Sequence, residues 1–186
     1  MKKAVLISIR PQWVQKIVDG EKTVEVRKTR PKLATPFTCY VYCTLQGCNE
    51  FFRVDLGRDV AKWNRGKWGD RKGHVIGKFT CKKLDWVTRI GYTGVQYPPK
   101  YVIGDERTYD VSEINDLLDA SCLTTKGLED YLAGGNGYGW HISDFQLYDT
   151  PCELSEFTGL RTFKSGFELR KLDRPPQSWC YVEEKQ

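Results

Sequence analysis

The chain has 186 residues, 40% apolar and 28% charged, with a formal charge of +5, which is length for one well-buried core and short for two. No run of uncharged apolar residues approaches the roughly 20 needed for a membrane-spanning helix. Seven cysteines at irregular spacing (39, 43, 48, 81, 122, 152 and 180) give no disulfide framework, a usage that fits a reducing cytoplasm.

The opening "MKKAVLISIRPQW" mimics a signal peptide, but its apolar run is shorter than the ~7 to 15 residues of such a segment and Arg10 interrupts it. Residues 4 to 9 read instead as a buried strand. Pro11 suits the first position of a helix, where its missing N–H would be unpaired anyway, and Trp13, Val14, Ile17 and Val18 form one apolar stripe at helical spacing. Gly20 then takes the left-handed position after the last turn. The next strand spans about 23 to 28, with Val24 and Val26 on one face and Thr23, Glu25 and Arg27 on the other.

Residues 38 to 45 are a further strand, whose alternation puts Cys39 and Cys43 on one face as small hydrophobes. With Cys48 they are separated by three and four residues, not the paired spacing of a zinc site, and no metal or cofactor is expected. From 58 to 83 there are nine Lys or Arg against two Asp. This basic stretch suits a polyanion partner, or equally a solvated loop. Trp63 and Trp68 stand among Lys62, Arg65, Lys67 and Arg71, an interleaving that suits stacking on single-stranded bases or a loop folded over its own tryptophans.

Residues 73 to 87 read as a long strand that bends at Gly77. The stretch 110 to 135 carries two helical patterns, the first started by Ser112, the second by Thr124 or Thr125 and stopped by Gly134 and Gly135. "GGNGYG" (134 to 139) lacks the Lys-Ser/Thr of a phosphate loop and reads as a mobile connector, a candidate lid. Strands at 139 to 149 and 178 to 184 complete the inventory, with Trp179 closing the structure. Five or six strands and a crossover helix point to a small, partly closed β-barrel with helices at its ends; pattern alone does not exclude an open α+β sheet.

"GEKTVEVR" (20 to 27) concentrates charge beside a helix end. Glu25 and Arg27 form either a surface salt bridge of little energetic weight or, with Lys22, a pocket in which the cations meet phosphate or carbonyl oxygen and Glu25 accepts from a base amino group or takes a proton. The stretch resembles the amino-terminal signature of the activating-signal-cointegrator homology (ASCH) domains, G-x-K-x-x-E-x-R, with Gly20, Lys22, Glu25 and Arg27 at its four fixed positions. "CYVYCT", "HVIGKFTC", "YGWHISDFQLYD" and "PPQSWCYVEE" resemble later blocks of bacterial and phage-type members, leaving out roughly 49 to 72 and 105 to 135.

The resemblance implies a single PUA-like α+β domain over 1 to 186, mainly β, a partly closed barrel with flanking helices, a basic excursion at 49 to 72 and an inserted helical segment at 105 to 135. It further implies a cleft around the motif that binds RNA, single-stranded nucleic acid or a nucleotide. Ser8, Arg10, Lys22, Glu25, Arg27 and His141 would line it, and Trp63, Lys67, Trp68 and Arg71 would extend the footprint. The alternatives are a hydrolase on the same cleft, a ribonuclease or an amidohydrolase of a modified nucleoside such as N4-acetylcytidine, with Lys22 and Glu25 catalytic, or a protein-interaction module. The amidohydrolase pattern is only partial, because Glu25 stands where such enzymes place a threonine nucleophile, and a carboxylate does not replace an alkoxide in attack on an amide.

Overall fold

The all-apolar run after Lys3 becomes β1 (Lys3–Ile9), a strand in which every residue from Ala4 to Ile9 is buried. The computed structural model describes residues 1–45, 73–91, 100–104, 111–163 and 166–185. They fall into two compact units. One comprises Met1–Asp19, Phe37–Thr80 and Asp144–Gln186, the other Gly20–Pro36 and Cys81–Ser143.

In the first unit, β1 is flanked by β3 (Phe37–Cys43), which runs parallel to it with Val5 opposite Cys39, and by β10 (Trp179–Glu183), which runs antiparallel. The outer strands are β8 (Thr158–Phe163), paired with β10, and β9 (Gly166–Lys171), paired with β8. Helix α1 (Pro11–Val18) begins at its proline and is followed by Gly20 at φ +76°, as the sequence led us to expect. Ala4, Leu6, Tyr40, Tyr42, Val75, Phe157 and Val182 form the core, with the Tyr40 and Phe157 rings edge to face at 5.0 Å. Cys39 and Cys43 are buried.

In the second unit, β2 (Val24–Arg27) pairs antiparallel with the start of β7 (Gly137–Cys152). The far half of β4 (Val75–Ile90) pairs with β5 (Lys100–Gly104), and β5 with the short β6 (Val111–Ser112). Helices α2 (Asn115–Ser121) and α3 (Thr125–Leu132) follow. Leu117, Leu118, Leu128 and Leu132 bury against Val24, Val26, Val87 and Tyr101, each large side chain contributing about 1.5–3 kcal/mol of transfer free energy. Thr124 caps α3 by accepting from the Gly127 N–H at 3.0 Å.

β4 and β7 run through both units, and the full strand order is β2-β7-β4-β3-β1-β10-β8-β9, with β5 and β6 branching from β4. Among the described residues the two ends of this path do not pair, and the sheet is mixed, with β1 parallel to β3 and antiparallel to β10. The fold is α+β and mainly β with flanking helices, but the expected partly closed barrel is not formed among the described residues. Trp179 accordingly closes nothing; it pairs with Ile7 and packs its ring against Tyr181.

Two further expectations change. Ser112 does not start a helix, because it pairs with Ile103 in β6, and α2 starts at Asn115 without a side-chain cap. The glycine run at 134 to 139 is not a free connector: Gly134 and Gly135 end α3, where Tyr101 Oη accepts from the Gly134 N–H and donates to the Gly135 carbonyl, both at 3.1 Å, and Gly137 and Gly139 are already in β7. Gly77 serves a close approach, since a Cβ there would lie 2.4 Å from the Gln146 carbonyl oxygen. None of the described helices is long and apolar enough to cross a membrane.

Candidate functional site

Every fixed residue of the 20 to 27 motif belongs to the second unit. Strand alternation sends Val24 and Val26 into the core beneath α2 and α3, and so delivers Glu25 and Arg27 to the opposite face of β2. One Glu25 oxygen, Oε1, lies 2.9 Å from Arg27 Nη2 and the other, Oε2, 3.2 Å from Lys22 Nζ. Lys22 also donates to the Ser121 carbonyl at 2.7 Å, satisfying an oxygen at the C-terminal end of α2, where a cation is favoured. Lys22, Glu25 and Arg27 are all buried, so the exposed surface pair considered from the sequence is not what forms.

Arg27 reaches further, donating to the hydroxyl of Tyr131 on α3. Burial pushes the Tyr131 phenol up, against the charge of Arg27 and hydrogen bonds from Arg27 and the Lys28 backbone. The Lys28 ammonium stands 5.5 Å over the Tyr131 ring, and the Arg30 guanidinium 5.5 Å over the ring of Tyr138, the residue paired with Arg27 across the ladder. Directly after the motif, Lys28, Thr29, Arg30, Lys32, Leu33, Ala34 and Tyr138 line a cleft of about 710 Å³. Lys28, Arg30 and Lys32 are exposed, and the sequence reading passed over them because the signal there is only a charge every second residue.

His141 is placed elsewhere. Its ladder partner is Val24, which sets it on the face opposite Glu25 and Arg27. There Nε2 meets Asp85 Oδ2 at 2.6 Å, and Lys83 Nζ donates to Asp85 Oδ1 at 2.8 Å. Burial raises the Asp85 pKa, but the hydrogen bonds and charges of His141 and Lys83 together outweigh it and hold the carboxyl below its ordinary value. Asp85 was missed from the sequence, although a lone acid in the strand "KKLDWV" that alternation sends inward needs a buried partner.

Ser8 and Arg10 lie in the first unit. Buried Ser8 donates to the Pro176 carbonyl at 2.7 Å, while exposed Arg10 supplies the carbonyl that accepts from the Trp13 and Val14 N–H groups at the start of α1. Trp63, Lys67, Trp68 and Arg71, with the basic excursion that carries them, lie outside the described residues. No cluster of His, Cys, Asp or Glu able to hold a metal occurs among the described residues.

No protein-family model matches the chain, and no curated protein matches it. Solved structures do. The crystal structure of ASCH from Zymomonas mobilis matches over 97% of this chain and 88% of its own, with a TM-score of 0.53 at 18% identity. The chain has an ASCH fold. A serine-to-alanine variant of that same protein gives a TM-score of 0.51, again at 18% identity, over 97% of this chain and 89% of its own. The ASCH fold anticipated from the motif "GEKTVEVR" is thus reached independently through backbone geometry.

Proposed function

We propose that this chain is a single ASCH domain that binds single-stranded RNA or a nucleotide at the Lys22, Glu25 and Arg27 cluster and along the basic cleft beyond it. The observation that carries this reading is the continuity of the two features through Arg27. Its guanidinium is fixed by Glu25 and Tyr131, and the chain emerging from it places Lys28, Arg30 and Lys32 on one cleft with the Tyr138 ring. Exposed cations at alternate positions follow a phosphate backbone, and an aromatic wall offers a stacking surface to any base. Glu25, with both oxygens engaged by cations, organises Arg27 and Lys22 and leaves little of itself for proton abstraction.

A hydrolase reading is favoured by a different observation. His141 is oriented by the buried Asp85, and its other ring nitrogen, Nδ1, has no partner among the described residues, the arrangement of a general base. One titration separates the readings: tryptophan fluorescence with a short single-stranded RNA at low and moderate salt, followed by inspection of the RNA. Salt-dependent binding that weakens in Lys28→Ala/Arg30→Ala, with intact RNA, supports the binding protein. Cleavage by wild type but not by His141→Asn supports the hydrolase. Absence of RNA binding at both salts turns the reading toward free nucleotides or a protein partner.

A further inference from the structure

The last strand of the ladder, β9, has all six of its residues exposed. Among the described residues it pairs only with β8, so one row of its backbone N–H and C=O groups has no strand beside it. Natural edge strands are blunted by short length, charged side chains, proline, a bulge or a covering helix or loop; β9 carries Glu168, Arg170 and Lys171, charges of both signs that repel a strand of one sign but admit one that pairs them. The six residues "GFELRK" have no proline, pair without interruption from Gly166 to Lys171, and present Phe167 at 60% and Leu169 at 47% exposure. Such an edge is a template for another strand.

The sequence of β9 selects which strand. In a two-fold antiparallel pairing centred on Leu169, each residue faces the one at equal distance on the other side of the centre. Leu169 meets its own copy, Phe167 faces Lys171, and Glu168 faces Arg170. Symmetry makes each of the last two pairs twice. Apolar contact and cation–π geometry then fall on one face, and two opposite-charge pairs on the other, which is the cross-strand arrangement that stabilises antiparallel sheets. Arg170 is held within its own chain by Asp173 at 2.7 Å, with both side chains about two-thirds exposed. An exposed pair of that kind is worth little, so Arg170 exchanges it at small cost.

We propose that β9 is the pairing edge of a homodimer, in which two copies of this chain join antiparallel across a two-fold axis at Leu169. The charge pattern points to a second copy as the partner, because β9 is its own complement in this register, with Glu168 facing Arg170 at both places.

The test is sedimentation equilibrium of the full chain over a range of concentrations, with far-ultraviolet circular dichroism and thermal melting to confirm that each variant is folded. Wild type is expected to show a monomer–dimer equilibrium. Arg170→Glu sets Glu against Glu at two places, and Leu169→Lys sets two lysines together at the axis; each should raise the dimer dissociation constant by at least about tenfold. Glu168→Arg combined with Arg170→Glu restores opposite charges and should recover the dimer. A chain that stays monomeric throughout, or a dimer indifferent to both single changes, overturns the proposal, and a double variant that fails to recover overturns the Leu169-centred register.

Discussion

Glu25 and Arg27, two residues apart on one face of β2, meet at 2.9 Å with only 8% and 11% of their side chains exposed. Lys22, 2% exposed, meets the other carboxylate oxygen. Removing one member of a buried ionic group strands the others without compensation, at a cost of about 3–5 kcal/mol. Glu25→Ala leaves two cations buried and should lose stability in that range by urea denaturation, while Lys22→Met, which leaves Glu25 its bond to Arg27, should lose clearly less. Equal losses would mean that Lys22 acts chiefly through the Ser121 carbonyl.

Asp85 sets an acid limit on stability. Its folded pKa is held below the ordinary 3.8, so as pH falls through 3.8 the unfolded chain takes up a proton that the folded chain refuses. The carboxylate's contribution is complete above that value and disappears as pH drops through the lower, folded pKa. Asp85→Asn should flatten this part of the acid unfolding profile and at neutral pH cost roughly 1–3 kcal/mol, the range for a disrupted buried hydrogen bond. An unchanged acid limb in the variant would show that other carboxylates govern it.

Gly77 is the position where backbone approach leaves least room. A Cβ there would meet the Gln146 carbonyl oxygen at 2.4 Å, whereas at Gly139 the nearest atom is the movable Leu117 Cδ1, at 2.8 Å. Backbone cannot yield as a side-chain end does, so Gly77→Ala should destabilise by about 1–3 kcal/mol, in the range for overpacking. Gly139→Ala should cost less, as measured by denaturant midpoint at unchanged slope.

Local rules made much of this legible. The Pro11 start and Gly20 stop of α1, the inward run of β1 and the alternation that separates Val24 and Val26 from Glu25 and Arg27 all depend on neighbours in sequence. What was missed depends on distant pairing. β8 and β9 alternate too weakly to be read as strands, because β9 has neither face covered and carries Glu168, Arg170 and Lys171 in the open. Sheet closure is equally nonlocal, so the expected barrel and its closure by Trp179 had no local signal to correct them. His141 was placed with the motif through resemblance, and only the register, Val24 opposite His141, shows that the two lie on different faces.

The basic cleft makes the final prediction quantitative. If phosphates lie against Lys28, Arg30 and Lys32, each contact displaces counterions, and the logarithm of the binding constant for a single strand falls by about 0.7 per contact for each unit of log salt. Replacing one of these residues with Ala should therefore weaken RNA binding almost equally for all sequences and make the salt slope shallower by about that amount. Tyr138→Ala should behave differently, costing roughly 1–3 kcal/mol of stacking with the slope unchanged. The two signatures distinguish cations that contact phosphate from cations that serve only the local fold, since the latter would lower affinity, if at all, without altering its dependence on salt.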